Sequence, residues 1–185
     1  DWQSRFRITY NDLQLAGSSE RLTESSFKKY QAQNKLVVAY AIPQEDVIAA
    51  ASAPWSLVGS DAIPESSNNN HPRGAGCFAR LLGPYVRDLH ALTLPQALAK
   101  CTILPVRRLE KQVPMLAAKG RLQMGADADI TVFNPATIAD RSTVERPAVF
   151  SEGIEHVFVM GRHALTPDGV QKDMRAGRPI KGEPA

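Results

Sequence analysis

The sequence predicts an α/β segment followed by a β-rich one, and three observations carry that prediction. Up to about residue 113, short apolar runs of β-favouring residues alternate with apolar stripes at helical spacing. Beyond that point, glycines and prolines punctuate short β-type runs at close intervals. The 185 residues include 43% hydrophobic and 22% charged side chains, ordinary globular usage that argues against wholesale disorder. A chain of this size suits one large domain or two small ones.

Residues 5–10 (RFRITY) alternate polar and apolar side chains and are expected to form a strand. Residues 11–19, with Gly17 and paired serines, read as a loop. Thr23 can cap a short helix carrying Phe27 and Tyr30. Residues 35–42 (KLVVAYAI) form an apolar, β-rich run ended by Pro43. Glu45 and Asp46 favour a helix over 45–53, because carboxylates sit well against the positive end of the helix dipole. Pro54 stops it, and residues 55–60 (WSLVGS) are expected to form a second apolar strand leading directly into Asp61.

A long irregular stretch follows, expected to be a mobile loop over 62–76 with a polar insert at Asn68, Asn69 and Asn70. From Phe78 onward, Leu81, Leu82, Tyr85, Val86 and Leu89 recur at helical spacing. Pro84 removes a backbone donor inside that stripe, so a kink or a restart is expected there. Thr93 and Gln96 make a capping box for the next helix, and Pro105 can open a short turn carrying Val106 and Leu109. The β-type runs are 129–133 (DITVF), 156–160 (HVFVM) and 163–166, with turns at Met160-Gly161 and Pro167-Asp168-Gly169. The tail from Lys172 is polar and is expected to hug the surface or fray. The expected division is 1–113 and 114–185.

With 22 basic and 19 acidic side chains, the net charge of +3 gives no reason to expect a nucleic-acid surface. No apolar run approaches the roughly 18 residues that cross a bilayer, so no membrane partner is expected. Cys77 and Cys101 fit a reduced chain, and a cytoplasmic location is the expectation. The first residue is Asp1 rather than Met, which is expected of a processed or truncated piece. The four histidines lie far apart, and neither a CxxC pair nor HExxH occurs, so a self-contained metal centre is not expected.

Asp61 is the first candidate for chemistry, since parallel α/β folds place reacting groups just beyond the C-terminal ends of their strands. It can equally cap the turn by accepting backbone N–H bonds. Arg73 can grip a carboxylate bidentately or stand as an ordinary loop arginine. His71 can serve as ligand, acid or loop residue. His90 sits near a helix end, and His156 and His163 flank a hairpin as ordinary β residues. Asp127 and Asp129 have the paired acids of a calcium loop but lack its further ligands, so turn stabilisation is expected.

Three stretches together resemble the C-terminal part of the N-acyl-D-amino-acid deacylases (D-aminoacylases), a branch of the metal-dependent amidohydrolases. The first is Val58-Gly59-Ser60-Asp61 with His71-Pro72-Arg73, Phe78-Ala79-Arg80-Leu81-Leu82-Gly83 and Tyr85-Val86-Arg87. The second is Leu104-Pro105-Val106-Arg107-Arg108-Leu109. The third runs from Lys119-Gly120-Arg121-Leu122 through Gly125-Ala126-Asp127-Ala128-Asp129-Ile130-Thr131-Val132-Phe133 to Gly153-Ile154-Glu155-His156-Val157. This last is common among amidohydrolases, whereas the Gly-Ser-Asp with its following His-Pro-Arg is narrower.

The resemblance implies the C-terminal part of a (β/α)₈ barrel over 1–113, followed by part of an accessory β-sandwich over 114–185. Such a barrel alone takes roughly 250 residues, so the family's N-terminal part, with its metal ligands, is the expected partner. The implied cofactor is Zn²⁺, with Asp61 as a candidate ligand and the other ligands outside this chain. Asp61 is implied to take the proton of the attacking water and pass it to the leaving amine. Arg73, with His71 beside it, is implied to hold the carboxylate of an N-acyl-D-amino acid. The chain alone is expected to be inactive. The alternatives are a cyclic-amide hydrolase of the dihydropyrimidinase or dihydroorotase kind, and a non-catalytic module that completes another subunit.

Overall fold

The computed structural model describes residues 2–63 and 70–182. The expected insert at Asn68 and Asn69, and residues 64–69 of the expected mobile loop, lie outside the described residues. The elements run α1 (Trp2–Phe6), β1 (Leu13–Leu15), α2 (Glu24–Ala32), β2 (Val37–Ala39), α3 (Gln44–Ser52), α4 (Arg73–Arg80), a π-helical segment (Leu81–Asp88), α5 (Leu94–Cys101) and α6 (Ile103–Leu109). The strands β3 (Ile130–Phe133), β4 (Ile154–Val159), β5 (Arg162–Thr166) and β6 (Gly169–Val170) follow. The pair β1–β2 is antiparallel, and β3-β4-β5-β6 form an antiparallel sheet in sequence order.

The caps read from the sequence are in place. Thr23 accepts from the Ser26 amide at the start of α2, and Thr93 and Gln96 close their box at 2.9 Å and 3.4 Å. Pro84 lies inside the π-helical segment, Leu81–Asp88, that continues from α4. The turn is wide there, and the Leu89 amide donates five residues back to the Pro84 carbonyl at 2.9 Å, the spacing of a π turn.

Two expectations fail. Residues 5–10 end α1 and enter a 3₁₀ turn, because Trp2, Tyr10 and Phe27 pack as an aromatic trio with centroids 5.4–5.5 Å apart. The strand lies instead at Leu13–Leu15, inside the stretch read as a loop, where it pairs with β2. Trp55 lies in a turn and residues 56–60 take no regular structure, so the run is not a strand: no strand among the described residues pairs with it. A strand is defined by its partner, and β-type composition alone does not supply one.

The core gathers Leu81, Tyr85, Leu92 and Ala97, with Val47, Ala51, Val58, Leu82, Val86 and Cys101 packed around it. The run into Asp61 is therefore seated on a helical layer through Val58. A second layer comes from residues 134–153. Ile138, 2% exposed, lies against the π-helical segment, where its carbonyl accepts from the Arg87 guanidinium at 2.7 Å.

A cleft that gathers Asp61, His71 and Arg73

Asp61, His71 and Arg73 line one cleft of about 680 Å³. Its opposite wall is the corner between α2 and β2, including Lys35, Val37 and Ala39. Arg73 is the first residue of α4, and Pro72, with φ near −57°, is pre-set for that helix start. The expected loop thus ends earlier than residue 76. The Arg73 guanidinium meets the Asp61 carboxylate at 2.5 Å, and its Nε donates to the Asp61 carbonyl at 3.2 Å. The Asp61 side chain is 77% exposed and that of Arg73 42%. Among the described residues the Asp61 carboxylate is partnered by Arg73, at the edge of the cleft.

Among the described residues, Asp61 is one of five non-glycine residues with positive φ, at 49°. A left-handed backbone is strained for most side chains but tolerated by Asp and Asn. It turns the chain at the end of the 55–60 run, where the carboxylate meets Arg73. His71 Nδ1 accepts from the Arg73 amide at 3.1 Å, which leaves Nε2 to carry the proton of the neutral ring. Burial, then Arg73 and Arg80, hold His71 below the ordinary imidazole range, against an opposing pull from Asp61. The imidazole is therefore neutral near pH 7.

The supporting residues escaped the sequence reading. Lys100, 3% exposed, donates to the carbonyls of Ala53 and Ser56 (3.0 Å) and to the Ser56 hydroxyl (2.8 Å), pinning the turn from which the Asp61 run departs. Cys77 lies 3.8 Å from the Gly59 carbonyl through its sulfur. The Asp140 carboxylate, 3% exposed, accepts from Arg80 at 2.7 and 2.8 Å and from the Ser142 amide at 2.8 Å. The Ser142 hydroxyl reaches both that carboxylate (2.5 Å) and the Pro72 carbonyl (2.8 Å), the peptide next to Arg73. Gly76 has room for none but a hydrogen, because a Cβ there would fall 1.9 Å from the Asp140 carboxylate. Further along the same segment, the Val144 carbonyl accepts from Gly17 at 2.8 Å and Glu145 accepts from Gln14 at 2.7 Å. Residues 140–145 thus hold the α4 wall and the β1 side together. Little local marks these residues, since the contacts of Lys100 with Ala53 and Ser56, of Asp140 with Arg80, and of Ser142 with Pro72 each span more than forty positions.

The remaining candidates are elsewhere. Asp127 and Asp129 both pair with Lys119, at 2.9 and 2.5 Å, and Asp129 also accepts from the Met160 amide at 2.7 Å, so they stabilise a turn as expected. Both cysteines are free. His156 and His163 meet on the sheet. Among the described residues, no three His, Cys, Asp or Glu side chains gather as a metal cage. In the cleft, Asp61 and His71 are the metal-binding side-chain types present, and Asp61 is already paired with Arg73. These residues alone do not fit a complete zinc site, which takes three or four protein ligands.

Comparison with known proteins gives a consistent picture. A model described as the amidohydrolase family matches residues 12–164. The N-acyl-D-glutamate deacylase of Alcaligenes xylosoxydans xylosoxydans is 49% identical over 105 residues, covering 57% of this chain and 20% of that protein. The D-aminoacylase of the same organism is 42% identical over 106 residues, covering 57% and 21%. Among solved structures, the N-acyl-D-glutamate deacylase from Bordetella bronchiseptica, complexed with zinc and a phosphonate inhibitor, aligns with a TM-score of 0.73 at 32% identity. That match covers 96% of this chain and 39% of the other. A D-aminoacylase structure aligns with a TM-score of 0.71 at 33% identity, covering 78% and 29%, and a further matching structure is described in terms of the binuclear metal centre in D-aminoacylase. The α/β fold therefore matches D-aminoacylase structures, and the chain spans about a fifth of the length of the first two curated relatives.

Proposed function

This chain belongs to the amidohydrolase family, and from that premise we propose that it is the C-terminal portion of a zinc-dependent hydrolase of N-acyl-D-amino acids. The observation that carries the reading is the convergence of Asp61, His71 and Arg73 on one cleft. In this proposal residues 1–113 complete a (β/α)₈ barrel and 114–185 belong to an accessory sandwich. The strand-like run at 55–60 then finds its neighbours in the N-terminal part. Exposed Ile42 (70%), Trp55 (82%) and Ile63 (69%) would be covered by the same association. The zinc ligands come chiefly from that N-terminal part.

The work of this chain's own residues follows from their chemistry. Arg73 presents a planar fork of donors, and the carboxylate of an N-acyl-D-amino acid is its natural complement. In the absence of substrate, Asp61 occupies that fork. An arriving carboxylate displaces Asp61 from Arg73, so the anchoring of the substrate and the release of the base are one event. Freed, the Asp61 carboxylate accepts a proton from the attacking water and returns it to the amine as the amide C–N bond breaks. Neutral His71 offers its Nε2–H to the same region as a hydrogen-bond donor. Fixing the carboxylate also fixes which face of the amide meets the water.

The test is reconstitution. The chain is combined with the N-terminal part of the family enzyme and Zn²⁺, and hydrolysis of N-acetyl-D-amino acids is compared with hydrolysis of hydantoins. Turnover of the linear substrates supports the proposal. A folded complex that hydrolyses neither, or only the hydantoins, overturns it.

A further inference from the structure

The four-stranded sheet holds a pair of side chains that take no part in the Asp61 cleft. His156 on β4 and His163 on β5 meet across the hairpin, with Nδ1 of the first 2.9 Å from Nε2 of the second. Their ring centroids are 5.0 Å apart, and Phe158 stacks on His163 at 4.4 Å with only 7° between the planes. Both histidines are half-buried, and among the described residues neither is ion-paired with a carboxylate. As a hydrogen bond, the contact lets one ring donate and the other accept, with a single hydrogen shared between facing nitrogens.

The same separation suits a chelate. Two imidazole nitrogens, each about 2.05 Å from an ion and 90° apart around it, are about 2.9 Å from one another. Replacing the shared hydrogen by an ion needs the rings to turn toward an open side, with no change in strand register. Such a side exists, since His163 borders a hollow of about 520 Å³ lined also by Gln171, Asp173 and Met174. An ion drawn to that side would fill its remaining coordination positions with water. Arg162 and Lys172 line the hollow too, which sets it against ions held by charge alone, such as Mg²⁺ and Ca²⁺.

We propose that His156 and His163 form a bidentate site for a divalent late transition-metal ion, with Cu²⁺ the tightest by the general ranking of nitrogen ligands. The site requires neither the N-terminal part nor any activity. Its test is a Cu²⁺ titration of the full 185-residue chain, with an electron paramagnetic resonance spectrum at half an equivalent. His156→Gln and His163→Gln should each weaken the tightest site by at least about tenfold, while His90→Gln leaves it unchanged and excess Mg²⁺ does not compete. The spectrum of the unaltered chain should show two imidazole nitrogens on the copper. Affinities of both glutamine variants within twofold of the unaltered chain overturn the proposal, as does a spectrum with one imidazole nitrogen or none. If a variant does not fold, that spectrum decides.

Discussion

Removing the Asp140 carboxylate should reverse the sign of a second substitution one helix away. Asp140→Ala leaves the amide of Ser142, a residue 4% exposed, without its acceptor, which costs about 1–3 kcal/mol. It also gives up the pair with Arg80, whose side chain is 51% exposed, so that loss is only about 1 kcal/mol. The total is about 2–4 kcal/mol, or a fall in Tm of roughly 4–16 °C for a chain of this size. Gly76→Ala in the unaltered chain places a Cβ 1.9 Å from that carboxylate. The overpacking costs about 1–3 kcal/mol, against a gain of up to about 1 kcal/mol from helix propensity. In the Asp140→Ala background the obstructing atoms are gone, and Gly76→Ala should stabilise by about 0.5–1 kcal/mol. Thermal unfolding of the four chains followed by circular dichroism measures the cycle. Additivity to within about 0.5 kcal/mol would falsify the claim that Asp140 is what keeps residue 76 a glycine.

Other outcomes follow from the same geometry. Because His71 has its value lowered in the folded chain, its neutral form is favoured there, and its contribution is complete above the unfolded value of about 6.5. That contribution is lost as the pH falls below 6.5 toward the folded value. His71→Gln should therefore flatten the decline of Tm on the acid side of pH 6.5, and an unchanged slope refutes it. Burial pushes the Cys101 thiol up to about 11 and raises Cys77 as well. At pH 8 both should alkylate more slowly than glutathione, with Cys101 the slower. Burial pushes the Asp129 carboxyl up, but the bonds from Lys119 and the Met160 amide outweigh it and leave the value low. Lys119→Met should cost about 1–2 kcal/mol at pH 7. That deficit should shrink as the pH falls below about 3.8, and a deficit independent of pH contradicts the pairing. In the reconstituted enzyme, Arg73→Lys should raise KM far more than it lowers kcat, because an ammonium cannot reproduce the bidentate fork.

What the sequence disclosed depended on the range of the interactions involved. The caps of α2 and α5 were legible because Thr23 with Ser26, and Thr93 with Gln96, satisfy each other within three residues. The turn at Met160-Gly161 was legible for the same reason. The strand expected at 55–60 was not formed, because its composition describes a buried surface and its partner lies in no described part of this chain. Residues 5–10 alternate as a strand would, but Tyr10 is claimed by Trp2 and Phe27. At the candidate site, Asp61 and Arg73 stand out in the sequence by their types and their motif. Their mutual pairing does not, since twelve residues separate them, and Asp140 and Ser142 lie sixty or more positions from what they hold.

The burial of Lys100 gives the chain a chemical clock. An amine-directed acylating reagent consumes exposed lysines at once but reaches this one only when the turn at Ala53 and Ser56 lets go of its amine. The pace of its labelling, read by mass spectrometry, therefore reports how often the seat beneath the Asp61 run opens. It does so without any substitution, and one acylation would leave that turn with carbonyls that no cation answers.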